Sequence, residues 1–364
     1  MLLVILALLS ACVVALFGVL LAWSPGTAEP FLDANGEPLP SSLSEKIRVR
    51  INGVEQGMFI RGKDRTKPVL LFVHGGPAMP EYAIARRHPT VLEDHFVVCW
   101  WDQRGAGLSY RSDRPPETIT PEQLIADTLE VARYLRQRFG QEKVYLLAHS
   151  WGSFLGLQAV AREPGLFHAY IGMGQVTQQL ESEKRAWKHM VERYQADGNA
   201  QMVERLRKFP MPELAEVPRD YLGLRDQAMH ELGIGTTRAM RSVVTGVFVP
   251  VWRHREYTLG EKLALWRGKW SEPSRRMFDG LMATDLTAVV TRVEVPVHLV
   301  QGTFDYTSSY TLAKEYFAKL QAPVKGFYSF EQSAHSPLFE EPEKMRRILV
   351  EDVLARTARL ADPI

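Results

Sequence analysis

The run Val144-Tyr145-Leu146-Leu147-Ala148-His149-Ser150-Trp151-Gly152-Ser153 constrains this chain more than any other. Its apolar first half reads as a strand covered on both faces, and it passes without a linker into a helical stretch that reaches Arg162. A strand that turns into a helix at one residue leaves space only for small side chains two positions before and after the turn. Those positions hold Ala148 and Gly152 around Ser150, so the G-x-S-x-G spacing is met with alanine for the first glycine. A serine placed there stands above the sheet edge, with the N–H groups of the new helix aimed at it. The five residues alone would also suit a structural serine at a helix start; their place between strand and helix favours a nucleophile.

The surrounding pattern predicts a mostly parallel sheet with helices on both faces. Val69–Val73 and Phe96–Trp101 are nearly unbroken apolar runs, after shorter extended runs at Ile47–Ile51 and Met58–Ile60. Thr120-Pro121-Glu122-Gln123 reads as a capping box, Leu124, Thr128, Val131 and Leu135 share one face, and Gly140 ends that helix. Further strand-like runs follow at Ala169–Met173, Val295–Val300 and Phe327–Phe330. The strand–helix alternation implies right-handed crossovers. Between them, residues 178–285 are rich in helix formers and hold Trp187, Trp252, Trp266 and Trp270. The expected organisation is an α/β core over 46–177 and 286–364 with a helical cap over 178–285.

Residues 1–23 carry no charge and, at about 1.5 Å per residue, a helix of this length spans a bilayer core of roughly 30 Å. Trp23 would sit at the interface, and Pro25-Gly26 then opens a linker over 24–45. An uncleaved anchor is the first reading. A signal peptide cut near Gly26-Thr27-Ala28 is the second, and a lipoprotein box at Leu9-Ser10-Ala11-Cys12 the third. No Lys or Arg appears before Lys46, which favours an extracytoplasmic body. The net charge is +2 with the signs interspersed, so no basic face suggests a nucleic-acid partner. With Cys12 and Cys99 as the only cysteines, neither a disulfide scaffold nor a cysteine zinc site is expected. No His, Asp or Glu cluster has ligand spacing, so neither a metal nor another cofactor is implied.

A nucleophilic serine needs a base, and the base needs a carboxylate to hold its tautomer. Beyond the helical segment, Asp305 closes Gly302-Thr303-Phe304-Asp305 just after a strand, and His335 follows the next strand in Ala334-His335-Ser336-Pro337. Both fall at the C-terminal edge of the sheet, where sites of open α/β sheets assemble. His298 lies inside a strand, His149 would point away from Ser150, and Asp285 reads as a hinge of the helical segment. His74-Gly75-Gly76-Pro77 can bring backbone N–H groups close to a ligand oxygen, although alone it reads as an ordinary turn. In Trp101-Asp102-Gln103-Arg104-Gly105-Ala106-Gly107-Leu108-Ser109 the expected role is structural, with Asp102 and Arg104 paired.

With these residues the sequence resembles the α/β-hydrolase superfamily, and within it the proline iminopeptidase-like branch. HGGP at 74–77, WDQRGAGLS at 101–109, HSWGS at 149–153, GTFD at 302–305 and AHSP at 334–337 carry the resemblance. It implies Ser150 as nucleophile, Asp305 as acid, His335 as base, and the Gly76 and Trp151 N–H groups as oxyanion donors. Ala78, Ala148 and Ser153 stand where that branch usually has glycine. The resemblance also implies cap glutamates that bind a substrate amino group, which no motif places among Glu181, Glu183, Glu192, Glu204, Glu213, Glu216 and the later acids.

The expected activity is serine hydrolysis of an amide or ester through an acyl-enzyme, on a small molecule or short peptide with an N-terminal proline. An esterase or lactonase is the alternative. A non-catalytic ligand-binding domain is the third reading, and the complete Ser, Asp and His set argues against it. Epoxide hydrolysis and dehalogenation are disfavoured, since such relatives carry Asp at the nucleophile position.

Overall fold

The apolar runs form one sheet because each can be covered by helices on both sides. Its strands are β1 (Leu43–Ile51), β2 (Val54–Gly62), β3 (Val69–Val73), β4 (Val97–Trp101), β5 (Val144–His149), β6 (Phe167–Met173), β7 (Val297–Gly302) and β8 (Lys325–Phe330). They are seen in a computed structural model that describes residues 1–88 and 91–363, with the backbone alone at residue 3. The spatial order is β1-β2-β4-β3-β5-β6-β7-β8, as in an α/β-hydrolase fold. β2 runs antiparallel to both β1 and β4, and every other pairing is parallel. The chain leaves β3 and β5 in opposite directions across the sheet, which opens a crevice at their C-terminal ends.

Strand periodicity divides the core. Leu71 and Val73 of β3, with Leu146 and Ala148 of β5, pack on one face against the helices Pro121–Phe139 and Trp151–Arg162. Leu70, Phe72, Tyr145 and Leu147 pack on the other face, against Ile348, Leu349 and Val353 near the C-terminus. The helix Pro121–Phe139 begins and ends where its sequence signals lie. Thr120 Oγ1 accepts from the Gln123 N–H, and Gly140 adopts φ 61°. The reciprocal half of the capping box does not form, because the Gln123 side chain donates to Asp127 instead.

Between β6 and β7 the chain is helical, and its helices enclose a third apolar cluster around Met190, Leu206, Tyr221 and Met229. Gln178 and Asp285 meet in a bridge, with Gln178 Nε2 donating to Asp285 Oδ2 over 2.7 Å. Asp285 also accepts from the Thr287 N–H and caps the helix Leu286–Val289.

The helix Leu2–Ala22 projects from the body. Its Val4–Ala22 stretch has a mean hydropathy of 3.0 and is 0% buried, which suits an anchor and a signal peptide alike. The segment after it is not a free linker. Gly26 N donates to Arg255 O, Pro25 pairs with Thr258, and β1 already begins at Leu43.

Candidate active site

Ser150 follows β5 directly and has φ 54° and ψ −122°, a backbone conformation that L-residues rarely adopt. Its N–H is held by Met173 O, and the helix starts at Trp151. A Cβ on Gly152 would lie 2.0 Å from Val73 O, so only glycine lets the new helix pass the end of β3 this closely. Ala148 is buried, and its methyl is accommodated where the sequence pattern more often has glycine. The turn thus has the geometry of a nucleophile elbow.

Asp305 follows β7 and is almost fully buried. Oδ1 accepts from the N–H groups of Thr307 and Ser308, each at 2.9 Å, and Oδ2 from Gln301 Nε2 at 2.7 Å. Oδ2 also meets His335 Nδ1 at 2.9 Å. The Gln301 amide is itself oriented, since its Oε1 accepts from the Gln175 N–H. His335 sits after β8, on a loop pressed against the end of β7, where a Cβ on Gly302 would come within 1.9 Å of Ala334 O. A Gly302→Ala change is therefore expected to push this loop off the sheet. It should destabilise the fold by about 1–3 kcal/mol and lower activity disproportionately, as read by urea unfolding beside turnover.

Ser150 and His335 line one cavity of about 430 Å³ with Gly75, Gly76, Glu81 and His149. Among the described residues no hydrogen bond joins the Ser150 hydroxyl to His335. His335 is thus held on its Asp305 side and makes no contact of this kind on its serine side. The Trp151 N–H is the first of its helix and has no partner within it. The Gly76 N–H makes no hydrogen bond among the described residues.

The loops after β3 and β4 brace this arrangement. Burial lowers His74 to about 4, so its ring is neutral, and Nε2 accepts from the Gln103 N–H. The Gln103 side chain donates to His74 O and accepts from Trp151 Nε1, which ties both loops to the elbow. The expected Asp102–Arg104 pair does not form. Arg104 binds Asp127 in a two-pronged contact of 2.6 and 2.8 Å. Asp102, pushed up to about 7 by burial, accepts from the Leu108 N–H and the Tyr257 hydroxyl. Fork geometry suits Arg104 to a carboxylate on a neighbouring helix better than to one two residues away on its own loop.

Two side chains acquire places that their sequence context did not reveal. His149 does not point away; it lines the cavity, its Nδ1 2.8 Å from Glu81 Oε2 and its Nε2 2.8 Å from His335 O. Glu81 also accepts from the Gly75 N–H at 2.6 Å. Burial opposes charge on both members, but their mutual attraction and hydrogen bonds win, lowering Glu81 and raising His149. The Glu81 contribution to stability is present above its unfolded value of 4.5 and fades as pH falls through its depressed folded value. The His149 contribution is complete below 6.5 and fades as pH rises through its raised folded value. Glu81→Gln should therefore cost about 3 kcal/mol or more in the window where both are charged, and less at either extreme, when Tm is followed against pH.

Among the described residues no cluster of three or more His, Cys, Asp and Glu side chains could hold a metal ion.

Residues 68–342 match the family described as alpha/beta hydrolase fold. The chain is 31% identical over 323 residues to the probable aminopeptidase YbaC of Bacillus subtilis (strain 168), covering 88% of this chain and 98% of that relative. It is 25% identical over 295 residues to a proline iminopeptidase of Heyndrickxia coagulans, covering 78% and 88% of the two chains. The crystal structure of a proline iminopeptidase-related protein from Thermus thermophilus superposes with a TM-score of 0.56 at 20% identity, covering 86% of this chain and 98% of the other.

Proposed function

Because the chain belongs to the α/β-hydrolase family, in its proline iminopeptidase-like branch, we propose that it is a serine hydrolase acting as an aminopeptidase on short peptides with an N-terminal proline. The observation that carries the reading is the hydrogen-bonded Asp305–His335 pair on the cavity that Ser150 lines from its strained turn. In this mechanism His335 Nε2 takes the Ser150 proton as Oγ attacks the carbonyl carbon. The Gly76 and Trp151 N–H groups hold the oxyanion, and Asp305 stabilises the imidazolium. His335 then protonates the leaving amine, and water, deprotonated in turn by His335, releases the acid from the acyl-enzyme. Glu81 positions the oxyanion loop through the Gly75 N–H.

Residues 178–285 act as a cap that closes the cavity, with Gln178 and Asp285 at its base. Asp226 is the cap acid on the cavity wall and is the group we assign to a substrate amino group. Its partner Arg225 is shared with buried Glu183, so these three side chains sum to one negative charge, which the Lys269 ammonium on the same cavity wall also feels. Asp226→Asn is expected to lower kcat/KM for prolyl amides by about tenfold or more, through the loss of one charged hydrogen bond. Hydrolysis of neutral esters should be unaffected.

The esterase or lactonase reading keeps one specific support. The Glu183 carboxylate is held by Arg225 at 2.6 and 2.7 Å and is not free for an amine. Comparing prolyl-naphthylamide with short acyl nitrophenyl esters decides the matter. Efficient amide cleavage is expected, and negligible amide turnover beside rapid ester turnover would remove the aminopeptidase reading.

The helix Leu2–Ala22 serves as an uncleaved anchor with the body on the extracytoplasmic side. Cleavage after Ala28 would remove Trp23 and Ser24, whose oxygens accept from Lys262 Nζ at 2.8 and 2.9 Å.

A further inference from the structure

The end of the apolar helix is fixed to one stretch of the helical segment. Lys262 Nζ, bound to Trp23 O and Ser24 Oγ, also donates to Trp252 O, while Arg253 lies over the Trp23 ring. The Phe248 ring packs on Trp252 and on Trp266, which carries these contacts directly to the wall of the catalytic cavity. Along that wall Val243, Val244, Phe248 and Trp270 are 38%, 55%, 37% and 61% exposed. Such a cluster of large apolar side chains in water has a cost that contact with another apolar phase removes.

The same stretch lines a basic hollow. Arg86, Arg87, Arg253 and Arg255 surround a cavity of about 240 Å³ in which Glu29 is the carboxylate. Glu29 lies 3.5 Å from Arg86 and 3.8 Å from Arg255. Arg87 and Arg253 have no carboxylate partner among the described residues. An apolar lip and unpaired arginines beside the exit of a bilayer-length helix match the two layers of an anionic lipid surface, acyl boundary and phosphates.

We propose that this face rests on the bilayer that holds Leu2–Ala22, with Val243, Val244, Phe248 and Trp270 at the acyl boundary and Arg87 and Arg253 on lipid phosphates. The catalytic cavity then opens at the lipid surface and draws amphiphilic substrates from it, peptides or esters with an apolar tail. The seating rests on the anchor reading, and only the substrate clause rests on Ser150 as nucleophile.

The test uses the full chain with Cys12→Ser, since Cys99 is buried. A polarity-sensitive fluorophore is placed at Val244→Cys or, as control, at Glu142→Cys, which precedes β5 at the opposite sheet edge. In phosphatidylcholine–phosphatidylglycerol vesicles, iodide should quench the position-244 probe roughly fivefold less than the control. Adding Arg87→Gln and Arg253→Gln should restore much of that quenching. Equal quenching at both positions, protection that instead grows with protein concentration in detergent, or failure of the chain to float with vesicles would each overturn the proposal. Fluorophosphonate labelling of the Cys12→Ser chain without a probe at position 244, which lines the cavity, reports on Ser150 separately, so absence of labelling there with protection intact removes only the substrate clause.

Discussion

Ser150→Ala is expected to lose about 10⁶ of kcat on every amide or ester that the wild-type chain turns over, while retaining its Tm within a few degrees. The magnitude follows from the arrangement rather than from the residue type. Without Oγ no acyl-enzyme can form, and the remaining oxyanion donors can only assist a direct attack by water. Stability should hold because Ser150 is anchored by its backbone, through the Met173 carbonyl, and its side chain makes no hydrogen bond among the described residues. Alanine at this positive φ costs no more than serine does. Residual turnover at wild-type level in a correctly folded variant would place the nucleophile elsewhere.

Asp305→Asn should cost about 10⁴ in kcat, with a KM little changed. Oδ1 would keep the two N–H donors from Thr307 and Ser308, so the new NH₂ must take the Oδ2 position, facing His335 Nδ1 and the Gln301 amide nitrogen. Two donors then meet at Gln301, whose flip would cost the Gln175 N–H its acceptor. The asparagine would also donate to Nδ1 and move the ring proton to Nε2, where it blocks acceptance from Ser150. Loss of kcat should therefore ease at high pH, where hydroxide replaces the missing base. A variant with wild-type kcat would show that His335 does not depend on this carboxylate for its tautomer.

The elbow was legible because its steric demand acts within five residues. Ala148, Ser150 and Gly152 reveal it wherever they follow a buried strand. The meeting of Asp305 and His335 was legible by order, since each follows its own strand at the same sheet edge. Glu81 and His149 were not, because their pairing joins the loop after β3 to the end of β5, a contact made by sheet order rather than by spacing. The Arg104–Asp127 contact escaped for the same reason, a loop meeting a helix. His149 was misread from its adjacency to Ser150, because the left-handed turn at Ser150 rotates the chain and leaves both side chains on one cavity. In the helical segment, charge density hid which acids are neutralised. Glu183 and Asp226 look alike in sequence and both meet Arg225, but Glu183 is buried in a two-pronged contact, whereas Asp226 keeps a single contact and lines the cavity.

The most direct measurement is mass-spectrometric location of a fluorophosphonate adduct on the purified full chain. The account predicts one phosphonylated residue, Ser150, with labelling slowed strongly in Asp305→Asn. An adduct on any other side chain, or a folded protein that stays unmodified after prolonged exposure, would contradict it.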